Sequence, residues 1–334
     1  MATETSIQWA DFSSNPIRAR LRDGSNRIPG HYCQKISSGC ANCYASRYQP
    51  RVGMPKFGAV GPVDPNVEIF LDEKELQRLL TSRKISGKRV FMCDMTDMFG
   101  EWVPFEMIDK LFAVFALRPD VTFQVLTKRP ERMAEYLNNM RVRVNIPKAA
   151  SMGSGMCIDM GRFWRAAGWP LPNVWLGTSV ENQAAADERI PYLLRCQAAV
   201  RFLSCEPMIW PVDLVSWLPY ESSRGWDGVM PPKVSFIITG GESGAQARPC
   251  NIEWIRSIRD QCKAAGVACF IKQLGANPYD PMCGCDEPAG TKLPPEAWIK
   301  LSDSHGGDWS EWPEDLRVRQ FPTPNAGDAG RNNQ

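Results

Sequence analysis

The sequence predicts an α/β chain folded as a full or partial (β/α) TIM-like barrel, with an N-terminal Cys-rich loop and a C-terminal extension. From residue 88 onward, six short apolar runs rich in Val, Ile and Phe each stop abruptly at polar or charged residues. Such continuous runs suit strands buried on both faces of a parallel sheet, whereas a strand with one wet face alternates. Helical patterns fill several of the gaps between them. Corresponding positions Phe91, Val125, Leu176, Leu203, Ile237 and Phe270 recur at intervals of 34, 51, 27, 34 and 33 residues. That is near the length of a βα unit, so right-handed crossovers in one parallel sheet follow.

The strand runs are RVFMCDMTD (89–97), TFQVLTKR (122–129), VWLGTSVEN (174–182), VRFLSCEP (200–207), VSFIITGGESG (234–244) and VACFIKQLG (267–275). Between the first two, PFEMIDKLFAVFAL has Pro104 at a first helical position and Phe105, Ile108, Phe112 and Phe115 on one stripe. The long gap after the second run holds an insertion, about 140–172, read as irregular. ENQAAADERIPYLLR is helix-like, with Pro191 expected to kink or delimit it. NIEWIRSIRDQCKAAG runs from an Asn251 cap to Gly266, with Ile252, Ile255, Ile258 and Cys262 on its apolar face.

An open doubly wound sheet and a barrel both accommodate this order. No GxGxxG follows the first strand and no P-loop is present, which weakens a nucleotide fold. The barrel is favoured because the strand ends carry Asp94 and Asp97, Lys128 and Arg129, Ser179 and Glu181, Glu206, Gly240 to Glu242, then Lys272 and Gln273. In a barrel those C-terminal ends converge on one mouth, where active sites are built. Strands that merely end where polar loops begin are the plain alternative. The barrel domain is set at 1–276 and the extension at 277–334, with a disordered tail from Gly327.

Composition is that of a globular protein, 43% hydrophobic and 23% charged over 334 residues, with a net charge of +2. That near balance gives no wholesale affinity for polyanions. The longest apolar run, LFAVFAL, cannot span a bilayer, and the N-terminus lacks the basic and apolar regions of a signal peptide. A soluble, cytoplasmic protein without membrane contact is expected. Most of its twelve cysteines are then expected to be reduced thiols. Cys93, Cys196, Cys205, Cys262 and Cys269 lie in apolar or helical stretches and read as core residues.

Cys33, Cys40 and Cys43 differ, because they share a loop (31–45) rich in Gly, Ser and Asn, spaced C-x6-C-x2-C. Three thiolates leave one position of a metal centre unfilled by protein, as catalytic sites require. A cubic iron–sulfur cluster normally takes four cysteines, so three would leave one iron open. A zinc site completed by His31 explains the same trio. Cys283 and Cys285 form a second, weaker pair.

Three clustered cysteines ahead of a (β/α) barrel resemble the radical S-adenosylmethionine (SAM) superfamily. More closely, the chain is similar to a phage- and bacterial-encoded three-Cys-motif family of unknown function. The shared phrases are IQWADFSSNP, CQKISSGCANCYA, TFQVLTKRPERM, NVWLGTSVENQ, ADERIPYLL, RFLSCEP, GGESG, ARPCNIEWIRSIRDQC and EWPEDLRVRQFP. The resemblance implies a 4Fe-4S cluster on Cys33, Cys40 and Cys43, with SAM on its open iron cleaved reductively to a 5′-deoxyadenosyl radical. The usual spacing is C-x3-C-x2-C, and the usual aromatic before the last cysteine is here Asn42, with Tyr44 just after. GGE at 240–242 lies too late to be the superfamily's methionine-binding GGE; MCDMTD (92–97) takes the earlier place.

On that resemblance Asp94 or Asp97 meets the SAM amino group and Lys128 or Arg129 its carboxylate. Ser179 and Glu181 hold ribose hydroxyls, and Tyr44 lies near the adenine. Gly240 and Gly241 give either close approach to a ligand or a tight turn. Glu206, Glu242 and Lys272 serve substrate binding or proton transfer, with buried structural ion pairs as the alternative. The expected activity is that of a radical SAM enzyme with an external electron donor and a partner protein, acting on a nucleic-acid base or nucleotide. Arg141, Arg143 and Lys148 could follow a polynucleotide backbone. Two other classes stay open: a zinc-stabilised nucleic-acid- or protein-binding module, and a metal-dependent barrel hydrolase or lyase using the strand-end carboxylates.

Overall fold

The computed structural model describes residues 2–26, 28–154, 157, 159–219, 232–281 and 295–322. Cys283, Cys285 and the tail from Gly327 lie outside the described residues.

The chain opens with β1 (Thr3–Glu4), β2 (Phe12–Ser14), β3 (Ile17–Leu21) and β4 (Gln34–Lys35). Helix α1 (Tyr44–Tyr48), β5 (Gly58–Ala59), β6 (Val67–Leu71) and α2 (Glu73–Thr81) follow. The repeating part is β7 (Arg89–Met92), α3 (Phe105–Leu117), β8 (Thr122–Thr127), α4 (Pro130–Asn138), α5 (Val142–Ser154), α6 (Met160–Ala167), β9 (Val174–Ser179), α7 (Gln183–Arg195), β10 (Val200–Cys205) and β11 (Phe236–Gly240). It ends with β12 (Cys250–Asn251), α8 (Ile252–Ala265), β13 (Ala268–Gln273) and β14 (Pro278–Tyr279).

All six expected strands form, and they are consecutive neighbours in one eight-stranded sheet ordered β1-β2-β7-β8-β9-β10-β11-β13. Every pairing from β2 to β13 is parallel, and β1 adds antiparallel at the edge. The sheet curls without closing, since β1 and β13 do not pair, so it is a half-barrel rather than a full TIM barrel. The seventh parallel strand, β2, was not foreseen. Its run FSS is too short and polar to signal a strand, and only the pairing of Phe12 with Val90 identifies it.

The continuous apolar runs serve two cores. Outward side chains such as Val90, Val125, Leu176 and Ile237 pack under the helices. Inward ones, Phe91, Trp175, Phe202, Ile238 and Phe270, form a separate cluster with Trp9 inside the curl. Trp9 packs at a tilt on Phe91, ring centroids 4.5 Å apart, and Phe321 of the C-terminal segment packs on Phe270 at 5.2 Å. The lower interior is thus filled by apolar side chains, whereas the strand C-termini carry polar and charged groups. Gly177 makes this filling possible, because a Cβ there would lie 2.5 Å from the Phe202 ring. Gly177→Val should therefore destabilise by about 1–3 kcal/mol through overpacking, read as a lower urea midpoint.

Helix α3 buries its expected face, with Pro104 as the N-cap residue rather than the first helical one. Helix α7 continues through Pro191 because Ala186, Ile190 and Leu193 anchor its buried face. The insertion read as irregular carries α5 and α6. Pro147 lies inside α5, and the Arg143 carbonyl that its missing N–H would have bonded accepts from Trp164 Nε1 at 2.9 Å instead. Val142, Ile146 and Ala150 supply a buried stripe. No described helix is long and apolar enough to cross a membrane.

Candidate metal centre

The loop of Cys33, Cys40 and Cys43 lies across the C-terminal strand ends, held from both sides by groups from those ends. None of the three is in a disulfide, and all are partly exposed. The five thiols assigned to the core, Cys93, Cys196, Cys205, Cys262 and Cys269, are buried. Burial first, then Asp97, pushes the Cys33 thiol far above its ordinary range, and the other two cysteine sulfurs add to the effect. Among the described residues, no group of three or more His, Cys, Asp or Glu side chains is arranged to close on a single ion. His31 turns away from the trio: its Nδ1 is 3.2 Å from the Ile17 carbonyl, and burial lowers its pKa to about 4.

One anchor comes from β7 and β8. Asp97 is buried and accepts from Thr127 Oγ1 at 2.6 Å, Lys128 N at 3.1 Å, Phe99 N at 3.0 Å and Arg129 Nη1 at 3.0 Å. Arg129 in turn donates to the Gln34 carbonyl, one residue past Cys33, at 3.3 Å and lies over the Trp102 ring at 4.7 Å. Asp97 and Arg129, one of the two candidates for each polar end of SAM, thus pair with each other and fix the loop.

A second anchor lies beneath the turn that carries Cys40. Glu181 is fully buried and pairs with Lys128 Nζ at 3.3 Å and Arg189 Nη1 at 2.9 Å. Gly39 rests on this triad, since a Cβ there would come within 3.0 Å of Glu181 Oε1 and 3.2 Å of Lys128 Nζ. Burial raises the Glu181 pKa, but Lys128, Arg189 and the Ser37 hydroxyl pull it down to about 2. Relative to an ordinary 4.5, that shift stabilises the fold above about pH 4.5 and is lost as pH falls toward 2. The shift corresponds to roughly 3 kcal/mol. Urea midpoints measured from pH 6 down to pH 3 should fall in wild type, and Glu181→Gln should flatten that slope while lowering stability at pH 6.

The third anchor comes from β11. Glu242 accepts from Arg248 Nη2 at 2.8 Å, Arg248 Nε at 2.9 Å and Asn42 Nδ2 at 3.0 Å. Arg248 Nη1 also donates to the Ser38 carbonyl at 2.9 Å, and Asn42 Nδ2 to the Gln246 carbonyl at 2.7 Å. Asn42, in the place of the usual aromatic, is therefore a tether. Gly241 approaches its own neighbour rather than open space, because a Cβ would meet the Leu274 carbonyl oxygen at 2.2 Å. Gly240 is similarly pressed against the Gln273 carbonyl at 2.8 Å.

Other predicted residues remain on the accessible mouth. The Tyr44 hydroxyl is 2.7 Å from the Asp94 carbonyl oxygen and 3.2 Å from its Oδ2, while the residue is 53% exposed. Asp94 also accepts from Asn15 Nδ2 at 2.6 Å, and burial raises its carboxyl pKa. Its aim depends on Cys93, which turns the chain with φ of 61°. Lys272 Nζ and Glu206 Oε1 stand 3.3 Å apart, and Glu206 Oε1 is buried without a hydrogen-bond partner. Ser204 Oγ reaches Glu206 Oε2 at 3.4 Å. Ser179 is buried beside them in the sheet, its carbonyl accepting from Arg189.

Sequence reasoning missed Arg189 and Arg248, the cations that secure the second and third anchors. Arg189 sits on the buried side of α7, an unusual place for a charge that a helical projection reveals. Arg248 has no such signal.

A family model described as "Protein of unknown function (DUF5131)" matches residues 4–301. No curated protein and no solved structure matches the chain.

Proposed function

This chain belongs to the DUF5131 family, described without an activity, and we propose from its own residues that it is a radical-SAM-like iron–sulfur enzyme. One observation carries this reading: three unpaired cysteines of one loop are anchored across the C-terminal ends of a curled parallel sheet. The donor set fits the group. Three thiolates suit an iron–sulfur cluster with an iron left open, and the three anchors would keep them facing the mouth.

Cys33, Cys40 and Cys43 would hold a 4Fe-4S cluster. When bound, it supplies the electron that cleaves the sulfur–C5′ bond of SAM, an external low-potential donor having provided that electron. Tyr44, its hydroxyl tied to Asp94, offers a half-exposed ring on which a planar base can stack. Asp94, raised by burial, holds or accepts a proton from an amino group. Lys272 and Glu206 present a cation beside an unsatisfied carboxylate oxygen, where a substrate polar group would bind and exchange a proton. Asp97, Arg129, Lys128, Glu181 and Glu242 orient the loop.

The substrate class we favour is a nucleic-acid base or nucleotide. Exposed Arg141, Arg143, Lys148, Arg162 and Arg165 on the α5–α6 insertion face only Asp159 as a nearby acid among its described residues. They would hold a phosphate backbone.

The test is anaerobic reconstitution with iron and sulfide, reduction with dithionite, and addition of SAM. Expected are a low-temperature EPR signal that SAM shifts, and release of methionine and 5′-deoxyadenosine. Stoichiometric zinc in place of iron, or a cluster indifferent to SAM, would overturn the reading.

A further inference from the structure

Charge is unevenly shared along the chain. Residues 16–62 carry eight Lys and Arg against one acid, Asp23, so this stretch holds +7 in a protein whose net charge is +2. It contains the cysteine loop and helix α1, whose first residue follows Cys43. The helical path continues from α1 through a 3-10 turn, Gln49–Val52, to Gly53 in the left-handed conformation. Its inner side is fixed. Gln49 accepts from His31 N and donates to the Ala45 carbonyl, both at 2.8 Å, Ser46 Oγ accepts from Phe57 N at 3.0 Å, and Val52 is buried. Its outer side shows Tyr44, Arg47, Tyr48 and Arg51, all exposed, at the i, i+3, i+4 and i+7 spacing of one helical face. Among the described residues, the Arg47 and Arg51 side chains make no ion pair or hydrogen bond, unlike Lys128, Arg129, Arg189 and Arg248. Asp23 and Asp64 line a groove with Pro50 and Gly53 but pair with neither arginine. Arg47 extends beside Gly244 of the loop after β11, its Nη2 3.4 Å from where a Cβ would stand.

We infer that Arg47, Tyr48 and Arg51 form a track for a single-stranded nucleic acid at the rim of the mouth, leading it to the cysteine loop. This rests on the nucleic-acid reading above and deepens it, but does not depend on the cluster. Two unpaired guanidinium groups flanking an exposed aromatic ring match phosphates flanking a base. A duplex keeps its base faces stacked on one another, whereas a single strand offers them to the ring. Tyr44, at the Cys43 end of the same face, stays beside Asp94. The arginines of the α5–α6 insertion do not replace the track. Arg143 lies over Trp169, ahead of the first residue of β9, toward the N-terminal strand ends rather than the mouth. A strand held there still needs a contact where the chemistry is.

The experiment is fluorescence anisotropy of the full chain with labelled oligo(dT), alone or annealed to oligo(dA), over a range of salt. Wild type should prefer the single strand. Tyr48→Ala should weaken that binding about tenfold, and Tyr48→Phe should restore it. Replacing Arg47 and Arg51 together by alanine should lower the slope of log affinity against log salt by about 1.4. All are surface changes, so unchanged urea midpoints would separate lost binding from lost folding. Equal affinity for the duplex, or single-strand binding that none of these variants weakens, would overturn the inference and leave the nucleic-acid reading standing. So would binding lost only when Arg141 and Arg143 are replaced. Absence of oligonucleotide binding by wild type would overturn both, and binding of a purified acidic ferredoxin through Arg47 and Arg51 in that case would assign the face to the electron donor.

Discussion

Cys33→Ala, Cys40→Ala and Cys43→Ala should each lose nearly all of the iron that the wild-type chain takes up, about four atoms per chain if the cluster is cubic. The effect should be all-or-none because each thiolate would ligate a different iron, and two ligands cannot restrain a cluster that needs at least three. Cys40 and Cys43 are partly exposed and outside the packed cores, so their variants should keep wild-type urea midpoints in the metal-free state, whereas Cys33 packs against the main core and its variant should lose some stability as well. That combination separates lost ligation from lost folding. Core controls such as Cys262→Ala should do the reverse, keeping iron while lowering stability, since Cys262 is fully buried against the main core. Iron content unchanged in all three loop variants would sink the assignment and turn attention to Asp94, Glu206 and Lys272 as a metal-dependent hydrolytic site.

Asp97→Ala should cost about 3–5 kcal/mol, the usual price of breaking one side of a buried ion pair. Four donors converge on this carboxylate. Removing it leaves the Arg129 guanidinium, itself 11% exposed, with only a carbonyl and the Trp102 ring. The same change frees Gln34 and hence Cys33, so iron retention should fall together with stability. Asp97→Asn keeps the shape but loses the charge and should lie between wild type and alanine on both measures. Glu242→Ala acts on the opposite side of the loop, where Arg248 can be hydrated, and should cost less stability while still loosening Asn42 and Cys43. Equal stability of Asp97→Ala and wild type would show that the first anchor is not what seats the loop.

Much of the architecture was legible because parallel strands and their cover helices advertise themselves through burial. Phe91 and Val90 must both be apolar when one faces the curl and the other the helices, which is why the run is continuous. Asn251 and Gly266 delimit α8 through local capping and left-handed backbone. Local rules failed where partners were distant. The 140–172 stretch read as irregular holds α5, where Trp164 supplies the donor that Pro147 lacks, and FSS became β2 only by pairing with β7.

The sequence by itself determined the six-strand repeat, the absence of a nucleotide-binding glycine motif and the singling out of Cys33, Cys40 and Cys43 from the core thiols. These depend on composition and periodicity, which are properties of neighbouring residues. Only the tertiary structure decided that the sheet stays open and that its lower interior is packed. It alone decided that Asp97 pairs with Arg129 and Glu181 with Lys128, while Glu242 ties Asn42 to Arg248. Identical residue types at strand ends can be ligand groups or ion pairs. The difference lies in which opposite charge the fold brings within about 3 Å, and a carboxylate whose two oxygens are both taken by buried donors, as those of Asp97 are, is no longer free to bind anything else.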